Sequence, residues 1–266
     1  MTPSRVIGTV PDVSAPATLR VLDLFCGEKN WSRPAVDRGH VVVTSDFDDV
    51  YAPDLVADIF DLSVETIVDA LGGFPDLVLA SPPCQGFTIV RIGKNWTAAP
   101  DKVHYPHRGS TPKTEKAELG VRLVARTLEL IEALSPSWWL MENPVGKLRK
   151  LPVVGGITRH TVTYCRYGRP FRKPTDLWGA PPQSWVPEPR CEPGGPIVVV
   201  EGEEWVTWNG SPCHMAAPRG SRTGVQGRKR LTTTAVPYPL AEAVTIAAEQ
   251  DHAAGRFELA GQQRLV

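Results

Sequence analysis

The chain has 266 residues, enough for one large domain with a sizeable core, or for a main domain with a small insert. Lys plus Arg and Asp plus Glu both number 29, so the zero net charge excludes an overall electrostatic attraction to nucleic acid. The apolar runs are far shorter than the roughly 20 residues needed to cross a bilayer, which excludes a membrane span.

The cysteines indicate a reducing compartment. Their number is odd and they show no close pairing: Cys26, Cys84, Cys165, Cys191 and Cys213. The first residues, Met-Thr-Pro-Ser-Arg, do not form a signal peptide. We therefore expect the protein in the cytoplasm.

The first part of the chain has the order of a nucleotide-binding βαβ unit. A β-rich run over residues 19–26 ends at Gly27, a short helix is predicted within 31–38, and a second run over 40–45 ends at Asp46. An acid at that point can accept hydrogen bonds from ribose hydroxyls. Further glycines do not follow Gly27, so we do not expect a pyrophosphate cradle.

Two more acids mark this region. Asp23 lies inside the first strand, where a carboxylate needs a partner such as a ligand's ammonium group or backbone amides. A short strand over residues 55–59 carries Asp58 near its end, and an amphipathic helix is predicted over 62–71. Strands that finish near a carboxylate suit a cofactor rich in amines and hydroxyls.

A buried strand over residues 76–80 precedes Pro82, Pro83 and Cys84. The prolines supply no backbone donors, so strand pairing must stop there and the cysteine lies at the carboxyl end of the strand. Ligands bind at that edge of open α/β sheets, which makes Cys84 a candidate nucleophile. The alternative is a buried free cysteine that only fills space.

Basic residues are concentrated in the later part of the chain. A long basic and aromatic loop over residues 89–113 suits a lid that contacts nucleic acid. A helix capped by Thr114 is predicted to run to about Leu134. From Glu142 to Arg230 there are 14 Lys and Arg residues against 7 Asp and Glu residues, which indicates a region that faces a polyanion.

A second apolar strand, over residues 137–141, also ends in reactive groups, Glu142 and Asn143. A carboxyl group at that position fits a general acid or a donor to a ring nitrogen. The alternative is a surface glutamate that begins a helix. The parallel with Cys84 favours the first interpretation.

The remaining residues predict few regular elements. Residues 161–167 are a plausible strand, and 179–230 are rich in Pro, Gly, Trp and Arg with little periodicity, which indicates an irregular insert. A closing helix is predicted over 237–250, followed by a surface tail over 251–266.

Three residues of the insert could bind zinc: Cys191, Cys213 and His214. The sequence has no Cys-x-x-Cys pair and no obvious fourth ligand. We therefore predict no metal site.

In chain order, these motifs resemble those of the cytosine carbon-5 DNA methyltransferases over roughly residues 20–245. Residues 23–27 correspond to the S-adenosylmethionine turn of the family, 82–85 to its nucleophile motif, and 142–143 to its cytosine-binding acid. Residues 167–170 correspond to the strand turn before its arginine motif, and 235–241 to its last motif. The resemblance implies a Rossmann-like S-adenosylmethionine-dependent methyltransferase fold, that is, an α/β fold with a mostly parallel sheet and helices on both faces. It also implies a short target-recognition insert.

The resemblance further implies roles for individual residues. Cys84 would add to carbon 6 of a flipped-out cytosine, and Glu142 would bind or protonate ring nitrogen 3. Phe25 would stack on the adenine of S-adenosylmethionine, and Asp46 would hold the ribose. The other cofactor contacts would be Asp23, Gly27, Asp58, Ile59 and Pro82. The substrate contacts would be Gln85, Asn143, Arg172 and Lys173.

The chain departs from the family pattern at the arginine motif, where it has Phe171, Lys173 and Thr175. Lys173 or Arg172 would therefore have to replace the arginine that contacts the base. Three alternatives stay open: a tRNA-directed relative, another cytosine-modifying enzyme, and a nucleic-acid-binding homologue with little transfer activity. We favour DNA because the insert is basic.

The predicted organisation has four segments: a loose arm (1–18), a catalytic S-adenosylmethionine-binding domain (19–178), the target-recognition insert (179–230), and a C-terminal segment (231–266) whose helix packs back on the catalytic domain. The expected partner is double-stranded DNA, with no membrane contact. We expect a monomer, similar to compact enzymes of phages and prokaryotes, with a cognate restriction endonuclease as a candidate partner.

Overall fold

The computed structural model describes residues 18–97, 111–192, 194–216 and 235–257. Seven strands form a central sheet: β1 (Arg20–Leu24), β2 (Val41–Asp46), β3 (Leu55–Val56), β4 (Leu77–Ala80), β5 (Trp138–Pro144), β6 (Arg159–Thr163) and β7 (Pro174–Ala180). Their order is β3-β2-β1-β4-β5-β7-β6, and only β7 runs antiparallel to its neighbours. The predicted α/β fold with a mostly parallel sheet is confirmed.

Helices cover both faces of this sheet. They are α1 (Arg33–Asp37), α2 (Val64–Leu71), α3 (Ile92–Asn95), α4 (Glu115–Leu134) and α5 (Tyr238–Ala253). Leu77 and Leu79 of β4 belong to the apolar cluster that includes α1 and α5, whereas Val78 and Ala80 belong to the cluster that includes α2 and α4. Every residue of β4 is therefore buried, which explains its uninterrupted apolar sequence.

The long helix α4 begins where the sequence predicts. The Thr114 side chain accepts a hydrogen bond from the Ala117 amide at 3.3 Å, which satisfies a donor in the first turn. The helix ends at Leu134, and Ser135 follows with a φ of 46°. Among the described residues, no helix combines the length and the apolar character needed to cross a membrane.

The last helix is attached to the first. The Glu249 carboxylate contacts the Arg38 guanidinium at 2.5 Å and the His40 ring at 2.9 Å. Asp251 is fully buried and accepts hydrogen bonds from the Ser184 amide and hydroxyl at 3.1 and 2.7 Å. The expected surface tail therefore does not begin at residue 251, and its end, 258–266, lies outside the described residues.

The strand expected over residues 161–167 is wrong in its second half. β6 ends at Thr163, which lies opposite Pro174 of β7, and residues Tyr164–Tyr167 form a 3-10 helix. Proline has no amide hydrogen to continue the ladder. The Tyr164 amide instead donates to the Arg172 carbonyl at 2.8 Å, which turns the chain.

The insert is more regular than its sequence suggests. It contains an antiparallel sheet of β8 (Ile197–Val200), β9 (Glu203–Trp208) and β10 (Ser211–Met215), called the insert sheet below. Both hairpin turns have two residues with positive φ, Glu201-Gly202 and Asn209-Gly210. Asn-Gly is the strongest short hairpin signal, so Asn209-Gly210 could have predicted one of them. Residues 217–234 lie outside the described part, and the four domain boundaries stay predictions.

The loops that follow β4 and β5 are joined at Gly146. Gly146 pairs with Thr88 in an isolated antiparallel bridge, and the Lys147 amide donates to the Phe87 carbonyl at 2.8 Å. A methyl group at Gly146 would overlap that carbonyl oxygen. Only glycine therefore allows the two loops to approach this closely.

We expect Gly146→Ala to lower the free energy of unfolding by about 1–3 kcal/mol, because the Phe87 carbonyl must move. Gly93→Ala is the matched control, since a methyl group there meets no atom within 4 Å. The control should change stability by less than about 1 kcal/mol. Urea unfolding measures both, and equal midpoints for the two variants would contradict the packing argument.

Candidate active site

Cys84 begins a turn directly beyond the end of β4. The Ser81 amide donates to the Leu24 carbonyl at 3.1 Å, which is the last bond of this strand to β1. Pro82 and Pro83 then interrupt the pairing, and Cys84–Gly86 form a 3-10 turn. The half-buried thiol is thus placed at the carboxyl edge of the sheet, as predicted.

Hydrogen bonds from Asn95, the last residue of α3, and from Trp96 hold the turn after Cys84 in place. The Asn95 side-chain amide donates to the carbonyls of Gln85 and Gly86 at 3.2 and 3.1 Å. The indole of Trp96 donates to the Gly86 carbonyl at 2.8 Å. Phe87 is fully buried and stacks on Trp96. These contacts leave the thiol little freedom to change its position.

Glu142 lies inside β5 and not in a helix. Glu142 pairs with Leu177 of β7, and the Glu142 side chain is only 8% exposed. The Tyr164 hydroxyl donates to Glu142 Oε1 at 2.8 Å, and the Lys173 ammonium lies 3.6 Å from the same oxygen. The carboxyl group therefore has a fixed orientation. Sequence reasoning missed Tyr164, because the residue was assigned to a strand.

Asn143 connects the two motifs directly. Its side-chain amide donates to the Pro82 carbonyl at 2.9 Å, across the gap between β5 and the segment after β4. Its Oδ1 is buried and has no hydrogen-bond partner among the described residues. Asn143 thereby sets the position of Glu142 relative to Cys84. Its predicted contact with substrate stays a prediction.

The charges around Cys84 act on its thiol in opposite directions. Burial raises the pKa of the Cys84 thiol most, and the nearby Glu142 carboxylate raises the same pKa further. The Lys173 ammonium lowers this pKa, because a positive charge favours the thiolate. Lys173 is thus the basic side chain that promotes formation of the nucleophile.

Of the two basic candidates at the arginine motif, the structure brings Lys173 to the site. Its ammonium group lies 4.4 Å from the centre of the Tyr164 ring, and its backbone has a positive φ of 28°. The guanidinium of Arg172 points elsewhere and donates to the Cys191 carbonyl at 3.0 and 3.1 Å. The expected substrate contact of Arg172 stays a prediction.

A cavity of about 340 Å³ opens beside this site, at the carboxyl ends of β1 and β2. Its volume is in the range of small-molecule sites, about 300–1,000 Å³. Four residues predicted to bind a cofactor line it: Phe25, Asp46, Asp58 and Ile59. Gln85, predicted to contact substrate, lies on its wall as well.

Sequence reasoning missed several walls of this cavity. They include Phe47, Phe60, Pro83 and four residues of α4, namely Lys116, Leu119, Gly120 and Leu123. Phe47 directly follows Asp46 and is 70% exposed. An aromatic residue next to an acid at the end of a strand was the sequence signal that could have predicted this wall. The sequence does not predict the contribution of α4, because its periodicity does not distinguish a core face from a cavity wall.

Asp23, Gly27 and Pro82 are not among the residues that line the cavity. The Gly27 amide donates to Asp46 Oδ2 at 3.0 Å, which orients that carboxylate. Asp23 is fully buried and accepts a hydrogen bond from the Ser32 hydroxyl at 2.7 Å. Burial raises the pKa of Asp23 to about 7, and its Oδ1 has no partner within the described part of the chain.

Sheet order, strand-end acids and the Cys84–Glu142 site together define a Rossmann-like methyltransferase fold. No protein-family model matches the chain. A probable DNA (cytosine-5)-methyltransferase of Frog virus 3 (isolate Goorha) is 31% identical over 169 residues, which cover 60% of this chain and 70% of that protein. The chain belongs to the DNA (cytosine-5)-methyltransferase family.

The comparison with solved structures also matches two methyltransferases, both at low TM-score and low identity. The Entamoeba histolytica methyltransferase EhMeth matches with a TM-score of 0.44 and 13% identity over 65% of this chain. The S. pombe Dnmt2 methyltransferase matches with a TM-score of 0.40 and 16% identity over 62% of this chain. The chain spans 58% and 49% of the lengths of these two structures.

We expect two charge-removing variants to move the pKa of the Cys84 thiol in opposite directions. Lys173→Met removes the cation that favours the thiolate, so alkylation of Cys84 should need higher pH. Glu142→Gln removes the opposing carboxylate, so alkylation should begin at lower pH. Iodoacetamide labelling across pH, followed by mass spectrometry of the Cys84 peptide, measures both shifts.

The control for this experiment is Lys150→Met, which removes an exposed lysine outside the site. Its labelling profile should match that of the wild type. Shifts of the same sign in the Lys173 and Glu142 variants would show that these two charges do not act on Cys84 as described.

Proposed function

We propose that the protein transfers a methyl group from S-adenosylmethionine to carbon 5 of a cytosine in double-stranded DNA. The observation that carries this proposal is the bond from the Asn143 side chain to the Pro82 carbonyl, at 2.9 Å. This bond holds a thiol and a carboxyl group at one edge of the sheet, beside a cavity of suitable size. Membership of the family supports the same reaction.

The cavity fits S-adenosylmethionine in both its apolar and its polar walls. Phe25 and Ile59 offer apolar surface for an adenine ring, and the Asp46 carboxylate can accept hydrogen bonds from ribose hydroxyls. The Oδ1 atom of Asp23 is buried and has no hydrogen-bond partner among the described residues. When bound, the cofactor supplies an electrophilic methyl group.

The chemistry of the protein's own residues follows from the weakness of the substrate as a nucleophile. Carbon 5 of cytosine does not attack a methyl donor unaided, so the Cys84 thiolate first adds to carbon 6. Glu142 in its acid form binds ring nitrogen 3 and transfers its proton to it, which draws electrons from carbon 6 during the addition. After methylation a base removes the carbon-5 proton, the bond from Cys84 to carbon 6 breaks to restore the thiolate, and ring nitrogen 3 returns its proton to Glu142.

Tyr164 is a positioning residue in this scheme. Its hydroxyl and the Lys173 ammonium both approach Glu142 Oε1, so we assign the other oxygen, Oε2, to the ring nitrogen. The hydroxyl of Tyr164 stays protonated, because burial and the Glu142 carboxylate raise its pKa well above the usual value. The target base must leave the duplex to reach this site, at a cost of a few kcal/mol.

The charge distribution supports DNA binding less than the sequence suggests. Half of the 14 basic residues between Glu142 and Arg230 contact groups of the protein itself: Lys147, Arg149, Arg159, Arg166, Arg169, Arg172 and Lys173. Five more, between Arg219 and Arg230, lie outside the described residues. Phosphate contacts are thus expected from those five and from exposed Lys150 and Arg190. Residues 98–110 of the expected lid also lie outside the described part.

Several finer expectations belong to this proposal. We propose a monomer that acts in the cytoplasm on duplex DNA, with a cognate restriction endonuclease as a candidate partner. The alternatives are a tRNA-directed relative, another cytosine-modifying enzyme, and a binding protein with little transfer activity. The acceptor comparison and the titration below distinguish them.

We expect Cys84→Ser to abolish methyl transfer and Glu142→Gln to lower it by about 10²–10⁴-fold, the usual contribution of a general acid. Transfer of radiolabelled methyl groups to duplex DNA and to tRNA measures activity and acceptor class together. Bisulfite sequencing of DNA from cells that express the protein gives the sequence context. Wild-type rates in Cys84→Ser would eliminate the covalent mechanism.

We expect Phe25→Ala to weaken S-adenosylmethionine binding about tenfold or more, because stacking of one base is worth roughly 1–3 kcal/mol. Phe74→Ala is the matched control, since Phe74 is exposed and lies outside the cavity. Calorimetric titration gives both dissociation constants. Wild-type affinity in the Phe25 variant would place the adenine elsewhere, and a wild type that binds no cofactor would favour the binding-protein alternative.

A further inference from the structure

Four potential metal ligands converge outside the proposed active site: Cys165, Cys191, Cys213 and His214. Their sulfur and nitrogen atoms all lie within 4.8 Å of one another. Three of these residues are buried and Cys213 is partly buried. Cys165 is the fourth ligand that the sequence did not reveal, because 25 residues lie between it and Cys191.

The spacing of these atoms matches a tetrahedral zinc site. Zn–S bonds of about 2.3 Å place neighbouring sulfurs roughly 3.8 Å apart around one ion. The Cys213 and Cys165 sulfurs are 3.4 Å apart, and Cys191 Sγ lies 3.5 Å from His214 Nδ1. A disulfide would need an S–S distance of about 2.05 Å, so the four groups form an open cluster of reduced ligands.

The charge around the cluster also suits such a site. Three thiolates and one Zn²⁺ carry a net charge of −1, which needs compensation in a buried setting. The Arg172 guanidinium donates to the Cys191 carbonyl at 3.0 and 3.1 Å and supplies a positive charge next to the ligands. This contact accounts for an arginine that does not point into the active site. The Cys191 amide donates to Thr163 Oγ1 at 3.0 Å, which fixes the loop.

We propose that Cys165, Cys191, Cys213 and His214 bind one structural Zn²⁺ that fastens the insert sheet to the catalytic core. Cys213 and His214 belong to β10, Cys165 to the 3-10 helix that carries Tyr164, and Cys191 to the loop after β7. With four protein ligands the ion has no open position, so it holds structure and does not react. The expectation of no metal site is thereby replaced.

The first test measures metal in the full-length protein purified without chelators, in the absence of DNA and S-adenosylmethionine. Inductively coupled plasma mass spectrometry should find about one zinc ion per chain. Replacement of zinc by Co²⁺ should produce the visible absorption bands of a tetrahedral thiolate site. These readouts do not depend on methyl transfer, so the metal proposal and the proposed function can fail separately.

Cys191→Ser and His214→Ala should lose most of the bound zinc, whereas the control variants Cys26→Ser and His252→Ala should retain it. Removal of zinc from the wild type should make the segment from Cys191 to Met215 more sensitive to chymotrypsin, which cleaves after aromatic residues such as Trp205 and Trp208, and added zinc should restore protection. If a variant does not fold, the cobalt spectrum of the wild type decides whether the protein has a tetrahedral thiolate site. Three results would overturn the proposal: protein without metal, a Cys165–Cys213 disulfide in alkylated protein, or full zinc content in both ligand variants.

Discussion

β4 and β5 are neighbouring parallel strands that end at different levels, and the Asn143 side chain spans the difference. β4 stops at Ala80, opposite Met141, and the prolines that follow cannot donate to β5. β5 continues through Glu142 because β7 pairs with its other edge. The Asn143 amide then donates to the Pro82 carbonyl, which would otherwise lack a partner there. This contact, together with the bridge between Thr88 and Gly146, holds the thiol and the carboxyl group at a fixed relative position.

That arrangement has an electrostatic consequence. In the proposed reaction Glu142 and Cys84 act on one ring and must therefore be close, yet the Glu142 carboxylate raises the pKa of the thiol. Burial, which excludes water from the reaction, raises the same pKa. Lys173 opposes both effects, and its strained backbone with a φ of 28° brings the ammonium group to that position. A lysine at this point can therefore activate the nucleophile, whatever contact it makes with the base.

Sequence reasoning succeeded where local chemistry determines structure and failed where distant residues meet. The cap at Thr114, the prolines after β4 and the acids at strand ends act on their own neighbours in the chain. The role of Tyr164 was not predicted, because a 3-10 turn replaces the end of the predicted strand. The strand ends early because Pro174 of the neighbouring strand has no amide hydrogen to continue the ladder. The regular sheet of the insert was missed although Asn209-Gly210 is a hairpin signal. The walls of the cavity contributed by α4 have no signal in a single sequence.

Tyr164 and Cys165 are consecutive, and this adjacency connects the two halves of the molecule. Tyr164 donates to Glu142, whereas Cys165 lies against Cys213 of the insert sheet. The 3-10 helix that contains both is short, and Gly168 ends it with a φ of 81°. A tilt of this helix would therefore change the hydrogen bond to Glu142 and the contacts of the insert together. The segment proposed to recognise DNA and the acid proposed to bind cytosine thus both contact this one short helix.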